Sequence, residues 1–479
     1  SARQGAGESA NTAIAPAVSN GMDSVGVMLP YMPLHYLLFK HLSTSVLVLT
    51  SGNSADEPIA IDNDDAIERL SAIADAYLLT NRDIHNRNDD SVLFVSGGAP
   101  SFLRRSRGWA PDPIPLCFEA EGIAACGAEL KGSFCLGKGP SGIVSQHLGD
   151  LKNPATFDFY REAFDRFCHL FMFTPKLAVC DMHPDYLSTR FAEHLGEHLG
   201  EHLGVPVQRV QHHYAHIASC MAENGVTDKV IGVAMDGTGY GDDGEIWGGE
   251  FFLCDFLSYE RMAHLEYLPL PGGDASIREP WRMAIGALHS MYGEEIFRMD
   301  HPVLKLCSDS DLRLLVAALA GRINTPMTSS AGRLFDTVAA LTGLVTHSGF
   351  EAEAPMRLEA AITPDTGAYR YTPGPEISML PAIEAVLSDM ADGVPTGAIS
   401  ARFHNTVVKA IVETASSIRN QSGVGTVALS GGVFQNRYLL ERSVELLEQA
   451  GFSVITQTKV PANDGGISLG QLAVAAARA

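Results

Sequence analysis

The 479-residue sequence has no C-x-x-C pair, no run of Lys or Arg, and no apolar stretch of membrane-spanning length. Its eight cysteines, Cys117, Cys126, Cys135, Cys168, Cys180, Cys220, Cys254 and Cys307, are scattered singly. That is too few for a disulfide scaffold and argues against a zinc ribbon; it fits the reduced thiols of a cytoplasmic protein. Basic residues are also scarce: Lys plus Arg is 34 against 56 Asp plus Glu, a net charge of −22. A chain so acidic, with no basic run, repels phosphate backbones, so nucleic acid is not an expected partner. The lack of a long apolar run excludes a membrane-spanning helix and points to a soluble protein. Residues 1–20 lack the basic start and apolar core of a secretory signal. The first residue is Ser1 rather than Met, so the sequence reads as a fragment or a processed form.

What is present is ordinary globular material, 46% hydrophobic and 19% charged, enough for two or three domains. Residues 25–29 read as a short strand, residues 34–42 as a helix and residues 46–49 as a buried strand running into Thr50-Ser51-Gly52-Asn53. The Pro-rich stretch from Gly108 to Pro115 marks a domain boundary. Beyond residue 120, strand-like runs at 231–234, 251–254, 427–429 and 454–456 alternate with helical stretches. Residues 280–345 are helix-rich and read as an insertion. Two α/β lobes facing each other account for the length.

Five constellations carry chemistry. His212-x-x-x-His216 places two imidazoles on one helix face, as a metal pair requires, although two buried and hydrogen-bonded histidines would show the same spacing. In the stretch from Val233 to Gly241 an apolar strand runs into Asp236 and a glycine-rich turn. This is a hairpin able to offer N–H groups to phosphate beside a cation-binding carboxylate, or a plain Asp-Gly turn. Ser430-Gly431-Gly432-Val433-Phe434-Gln435-Asn436 ends a buried strand and opens a helix, a weak phosphate-loop pattern. Asn463-Asp464-Gly465-Gly466 precedes the helix of residues 467–477, so Asp464 is a further oxygen ligand or an N-cap. In Ser329-Ser330-Ala331-Gly332-Arg333-Leu334-Phe335-Asp336, Gly332 permits close approach, Arg333 suits phosphate or carboxylate and Asp336 suits ribose or base, unless the stretch is a plain loop-to-helix junction with an Arg/Asp surface pair. The tandem of Glu-His-Leu-Gly from Glu193 to Gly204 spaces His194, His198 and His202 four apart, but a Gly at every fourth position argues for a surface expansion over a metal site.

Taken together these describe a two-lobed nucleotide site with a His/His/Asp/Asp metal set, a layout that resembles the actin, hexokinase and Hsp70 superfold (ASKHA). The residues themselves resemble one family, HypF, the carbamoyltransferases of nickel–iron hydrogenase maturation. The resemblance rests on Gln211-His212-His213-Tyr214-Ala215-His216, Met235-Asp236-Gly237-Thr238-Gly239-Tyr240-Gly241 and the Ser329, Ser430 and Asn463 motifs above. Cys126-Gly127-Ala128-Glu129-Leu130-Lys131 and Gly272-Gly273-Asp274-Ala275-Ser276-Ile277-Arg278-Glu279-Pro280-Trp281-Arg282 fit it too. Upstream, Leu49-Thr50-Ser51-Gly52-Asn53, Arg87-Asn88-Asp89-Asp90 and Arg104-Arg105-Ser106-Arg107-Gly108 resemble the second half of the family's YrdC-like domain.

The resemblance implies an α/β protein: a partial YrdC-like adenylate-forming domain over 1–115, then a two-lobed ASKHA-like transfer domain over 116–479, with lobes of about 116–225 and 226–479. It implies an ATP-dependent carbamoyltransferase that uses carbamoyl phosphate, passes through carbamoyl-adenylate and delivers to the C-terminal Cys thiolate of the partner HypE. By motif position, His212, His216, Asp236 and Asp464 hold the metal, with His212, His216 and Asp236 also catalytic. Ser51, Asn53, Arg104 and Arg107 lie at the adenylate-forming site. Gly332, Asp336, Gly431, Gly432 and Asn436 hold the nucleotide at the transfer site. Mg2+ is expected with ATP, and two His with two carboxylates suit Fe2+ or Zn2+ better than Mg2+ alone. The family's acylphosphatase-like module, its zinc modules and the first half of its YrdC-like domain have no counterpart in these residues, which leaves carbamoyl-phosphate hydrolysis open. Two other readings are an O-carbamoyltransferase acting on a small-molecule hydroxyl and a non-catalytic partner-binding scaffold.

Overall fold

A strand needs a neighbour to take its backbone hydrogen bonds, and that requirement sorts the chain. In the computed structural model, residues 14–54, 57–199 and 202–479 are described, and the chain divides into two units, Ser1–Gly52 and Asn53–Ala479. In the first unit the expected helix forms at Pro33–His41, with Pro33 opening it and Met32 extended before it. Residues 25–29 and 46–49, read from sequence as strands, run without ladder partners among the described residues. Their apolar pattern is that of strands, but the pairing edge that completes a strand is not supplied there.

The second unit opens with the helix Asn63–Leu70, capped by Asp62, and then an antiparallel ribbon, Val92–Ser96 against Ala99–Arg104. Its two-residue turn is Gly97-Gly98, both at positive φ (57° and 81°), the backbone that a tight hairpin demands. Two sheets follow with the same plan. In the first, Ile123–Ala125, Cys135–Gly137 and Ser141–Val144 form an antiparallel meander, and Leu177–Asp181 and then Val207–Val210 add in parallel beside Ile123–Ala125. In the second, Val230–Tyr240, Ile246–Cys254 and Tyr259–Leu265 form the meander, and Thr426–Ser430 and Ser453–Ile455 add in parallel beside Val230–Tyr240. Val230 to Asp236 is buried throughout, which explains its unbroken apolar run.

Between the third and fourth strands of the second sheet lies a helical segment from Trp281 to Ser422, longer than the 280–345 that composition alone suggests. Its helices share one core with the second sheet, including Phe335, Phe403 and Leu334. The first tandem copy of Glu-His-Leu-Gly sits in the helix Leu187–Glu197, and His198–Leu199 pairs with His202–Leu203. Residues 200–201 of that tandem, like residues 1–13 of the Ala- and Ser-rich start, lie outside the described residues.

Two helices fill the seam between the sheets. His212–Asn224 and Ile467–Arg478 contribute Ile217, Met221, Leu469 and Leu472 to a core that also takes Ala125 from the first sheet and Phe252 from the second. Their crossing is tight: a Cβ on Gly470 would stand 1.9 Å from the Ala215 carbonyl oxygen. Only a residue without a side chain allows that approach. Gly470→Ala is therefore expected to cost about 2–3 kcal/mol through overpacking of backbone against side chain. Urea denaturation should show a lower midpoint; an unchanged midpoint would mean that the crossing is not as tight as these distances state.

Candidate metal and nucleotide site

The His212–Asn224 helix starts where the Gln211 side chain caps it, accepting from Tyr214 N at 2.8 Å. This puts His212 and His216 one turn apart on the same face, both fully buried. Strand Val230–Tyr240 delivers Asp236, and the turn before helix Ile467–Arg478 delivers Asp464. His212 Nε2 and His216 Nε2 each stand 3.4 Å from Asp236 Oδ2 and 3.7 Å from Asp464 Oδ1. One donor atom from each of these four residues lies within 4.8 Å of all the others. His213 turns elsewhere, toward Gln211 and the Trp247 ring.

These spacings fit a shared cation. At 3.4–3.7 Å the groups are too far apart for good hydrogen bonds, and both Nε2 atoms are buried without a hydrogen-bond partner. A cation about 2.1 Å from four donors separates them by roughly 3.4 Å. The charges agree. Burial works to raise both carboxyls and does so at Asp464, whereas the two imidazoles hold Asp236 well below the usual carboxylate range. Burial works against a charged His212, but Asp181 outweighs it and holds the ring well above the ordinary imidazole value. The cluster wants positive charge between its carboxylates.

Asp181 is the residue that sequence reasoning missed. It ends strand Leu177–Asp181, and its Oδ2 pairs with His212 Nδ1 at 2.8 Å while Oδ1 accepts from His183 N at 2.9 Å. Such a partner fixes the ring so that Nε2 faces Asp236 and Asp464. The available signal was an apolar strand ending in Asp before a turn, the pattern that singled out Asp236.

Glycine turns crowd the same place. Gly432 N donates to Asp236 Oδ1 at 2.8 Å, and Gly431, at φ 101°, approaches so closely that a Cβ would meet the Met235 carbonyl oxygen at 2.2 Å. A Cβ on Gly332 would lie 3.0 Å from the Gly237 Cα. Ser330 caps the helix Ala331–Leu341 and donates to the carbonyl oxygens of Asp236 and Gly237 at 2.8 and 2.6 Å. Asp336, one turn into that helix, is buried in an ion pair with Arg333 at 2.7 Å. Asn436 caps helix Arg437–Gln449, and its Nδ2 lies 2.9 Å from His404 Nε2.

The upstream candidates bond to partners of their own and are not brought together with the His/Asp cluster. Arg104 pairs with Asp89 at 3.5 Å; Arg107 pairs with Asp90 at 2.9 Å and donates to the Asn88 carbonyl oxygen. Asn53 Nδ2 donates to the carbonyl oxygens of Ser54 and Glu57, and Ser51 lies in the other unit. Beside Asp464, Asn463 Nδ2 donates to the Leu103 carbonyl oxygen at 3.1 Å.

Known proteins match this chain over nearly its whole length. Residues 232–471 match the family model described as carbamoyltransferase, Kae1-like domain, second subdomain; residues 119–223 match the HypF Kae1-like domain. Residues 7–106 match the Sua5/YciO/YrdC model described as telomere recombination. A carbamoyltransferase HypF homolog of Cupriavidus necator is 36% identical over 376 residues, which is 76% of this chain and 93% of the relative. The chain belongs to the HypF family. The carbamoyltransferase HypF of Rhizobium leguminosarum is 39% identical over 96% of this chain but 59% of its own length. The chain thus spans about three-fifths of such longer curated relatives. A crystal structure of full-length HypF in a phosphate- and nucleotide-bound form superposes with a TM-score of 0.88 at 43% identity, covering 96% of this chain and 71% of that one. The HypF of T. kodakarensis gives a TM-score of 0.88 at 35% identity over 95% and 60% of the two chains. The two HypF-type models divide the metal set between them: His212 and His216 fall in one, Asp236 and Asp464 in the other. Among the described residues no helix is long and apolar enough to cross a membrane.

His212→Ala and His216→Ala should each abolish metal retention, read as metal per chain by elemental analysis after dialysis. Asp181→Asn should keep the ligands but weaken retention roughly 10–100-fold. Full metal content in both His variants would refute the ligand assignment.

Proposed function

We propose that this chain is an ATP-dependent carbamoyltransferase of nickel–iron hydrogenase maturation, acting in the cytoplasm. In this reading the carbamoyl group of carbamoyl phosphate passes through carbamoyl-adenylate to the C-terminal Cys thiolate of HypE. The observation that carries it is the meeting of His212, His216, Asp236 and Asp464 beside the helix start at Gly332 and the Gly431-Gly432 turn, in a HypF-family chain. The nucleotide- and phosphate-bound state of the similar full-length HypF supports ATP as the nucleotide, with Mg2+ as its usual companion.

The two imidazoles and two carboxylates would hold Fe2+ or Zn2+, the cations that suit nitrogen and oxygen donors together. When bound, such a cation would supply Lewis acidity on the phosphoryl side of the mixed anhydride, which makes AMP a better leaving group. The chain's own residues do the rest. Asp181 fixes the His212 ring. Gly431 and Gly432 bring backbone close to the site, where a side chain would block approach. Asn436 caps helix Arg437–Gln449, and Asp336 lies within helix Ala331–Leu341 beside Arg333; in this reading both hold the nucleotide. Upstream, Asn53, Arg104 and Arg107 would lie at the adenylate-forming site.

In the transfer step the acceptor thiolate attacks the carbamoyl carbon. A carbon–sulfur bond forms, the bond from that carbon to the AMP phosphate oxygen breaks, and AMP leaves with the electron pair. The chain's buried thiols are poor candidates for that nucleophile: burial pushes Cys126, Cys135, Cys220 and Cys254 well up, and Cys180 to about 12. This favours a thiolate brought by the partner.

Mixing the chain with HypE and either ATP plus carbamoyl phosphate or preformed carbamoyl-adenylate tests the reading by intact mass. One carbamoyl on the C-terminal Cys of HypE is expected. No gain from either donor would sink the proposal; gain from the adenylate alone would confine this chain to the second half of the reaction.

A further inference from the structure

His404 belongs to none of the motifs above, yet it is bonded to one of them. It lies within helix Thr396–Ser422, fully buried, with its ring held edge-on by Phe335 at 5.0 Å and Tyr438 at 5.6 Å. Nδ1 stands 2.8 Å from the Ser400 carbonyl oxygen. A carbonyl only accepts, so Nδ1 carries the proton and Nε2 presents a lone pair. Burial agrees, pushing the ring down to about 4, where it stays neutral at physiological pH.

That lone pair decides which way the Asn436 amide turns. Nδ2 of Asn436 donates to His404 Nε2 at 2.9 Å, while Oδ1 accepts from Leu439 N at 2.8 Å to cap the next helix. A flipped amide would set oxygen against the imidazole lone pair and NH2 against a backbone N–H, losing both bonds and adding two repulsions. One orientation survives. Asn436 is half-buried, and its second Nδ2 hydrogen is not used in either bond.

We propose that His404 is a positioning residue that locks the Asn436 amide so that an N–H, not a carbonyl oxygen, meets the nucleotide. This rests on the reading above that Asn436 holds the nucleotide. It makes position 436 a reader of a hydrogen-bond acceptor on the bound adenosine nucleotide. The ring never touches the ligand; it acts through the amide alone.

The test is calorimetric binding of AMP to the full chain. Asn436→Ser keeps a capping oxygen but removes the amide, and should weaken AMP about tenfold, the loss of one hydrogen bond. His404→Phe removes the acceptor in a ring of similar shape and should weaken AMP to a similar extent with metal content unchanged. His404→Gln, whose carbonyl oxygen accepts from the same amide, should restore most of the affinity. The double variant His404→Phe/Asn436→Ser should bind no worse than Asn436→Ser alone, because both act through one group. If Phe fails to fold at this position, His404→Leu takes its place. Unchanged binding by Asn436→Ser would overturn the nucleotide reading of this loop, and the proposal with it. Weakened binding by Asn436→Ser together with unchanged binding by the His404 variants, or fully additive losses in the double variant, would overturn the role of His404 alone.

Discussion

Two carboxylates, Asp236 and Asp464, face one space inside the seam between the sheets, and the rest of the second unit is arranged around that constraint. Buried negative charge is costly unless something positive answers it. Here the answer on offer is two imidazole Nε2 atoms without hydrogen-bond partners, at distances that fit a cation between them. Protons can meet part of the demand, as the raised His212 shows. A divalent cation meets more of it, since it satisfies all four groups at once. The crowding of glycine at the site follows from the same constraint. A Cβ on Gly239 would meet the His212 ring at 2.5 Å, and one on Gly432 would meet Asp236 Oδ1 at 2.9 Å. Backbone must come this close because the ligands arrive from separate elements.

The repeated sheet plan explains why those elements converge. In each lobe a meander is followed by a parallel strand beside its first member, so the ends of the first and fourth strands open on the same side. In the first lobe the fourth strand ends at Asp181; in the second it ends at Ser430-Gly431-Gly432. One supplies the carboxylate that orients His212; the other supplies the amide that bonds Asp236. Functional groups at the carboxyl ends of strands are the general habit of α/β sheets. Here two copies of that habit face a shared seam.

Much of this was legible in the sequence because it is local. The spacing of His212 and His216 sets a helix face. The Asp236 and Gly431-Gly432 motifs are strand ends, and Asn463-Asp464 is a helix start; each is written in a few consecutive residues. What escaped reading is pairwise and distant. Asp181 ends an apolar strand before a turn, but its role depends on meeting His212 across 31 positions, which that local pattern does not report. His404 looks like one more helix histidine until Asn436, 32 positions on, is placed against it. Residues 25–29 and 46–49 fail in the opposite sense: their pattern suits strands, but a strand also needs a partner edge, which periodicity does not report.

Burial, rather than surface charge, holds the two lobes in register. Ion pairs reach across at the surface, Lys131 to Glu351 and Lys152 to Asp274, the latter at 3.4 Å with both side chains more than half exposed. Exposed pairs of this kind contribute about 0–1 kcal/mol each. The helices His212–Asn224 and Ile467–Arg478 offer far more. They bury Ile217, Met221, Leu469 and Leu472 in one core with residues of both sheets, and each fully buried side chain of this size contributes about 1.5–3 kcal/mol. One helix carries His212 and His216 and the other is preceded by Asp464. The contact that joins the lobes is therefore also the contact that sets the spacing of the candidate ligands. Loosening it at Gly470 shifts that spacing, whereas removing a surface ion pair leaves it intact.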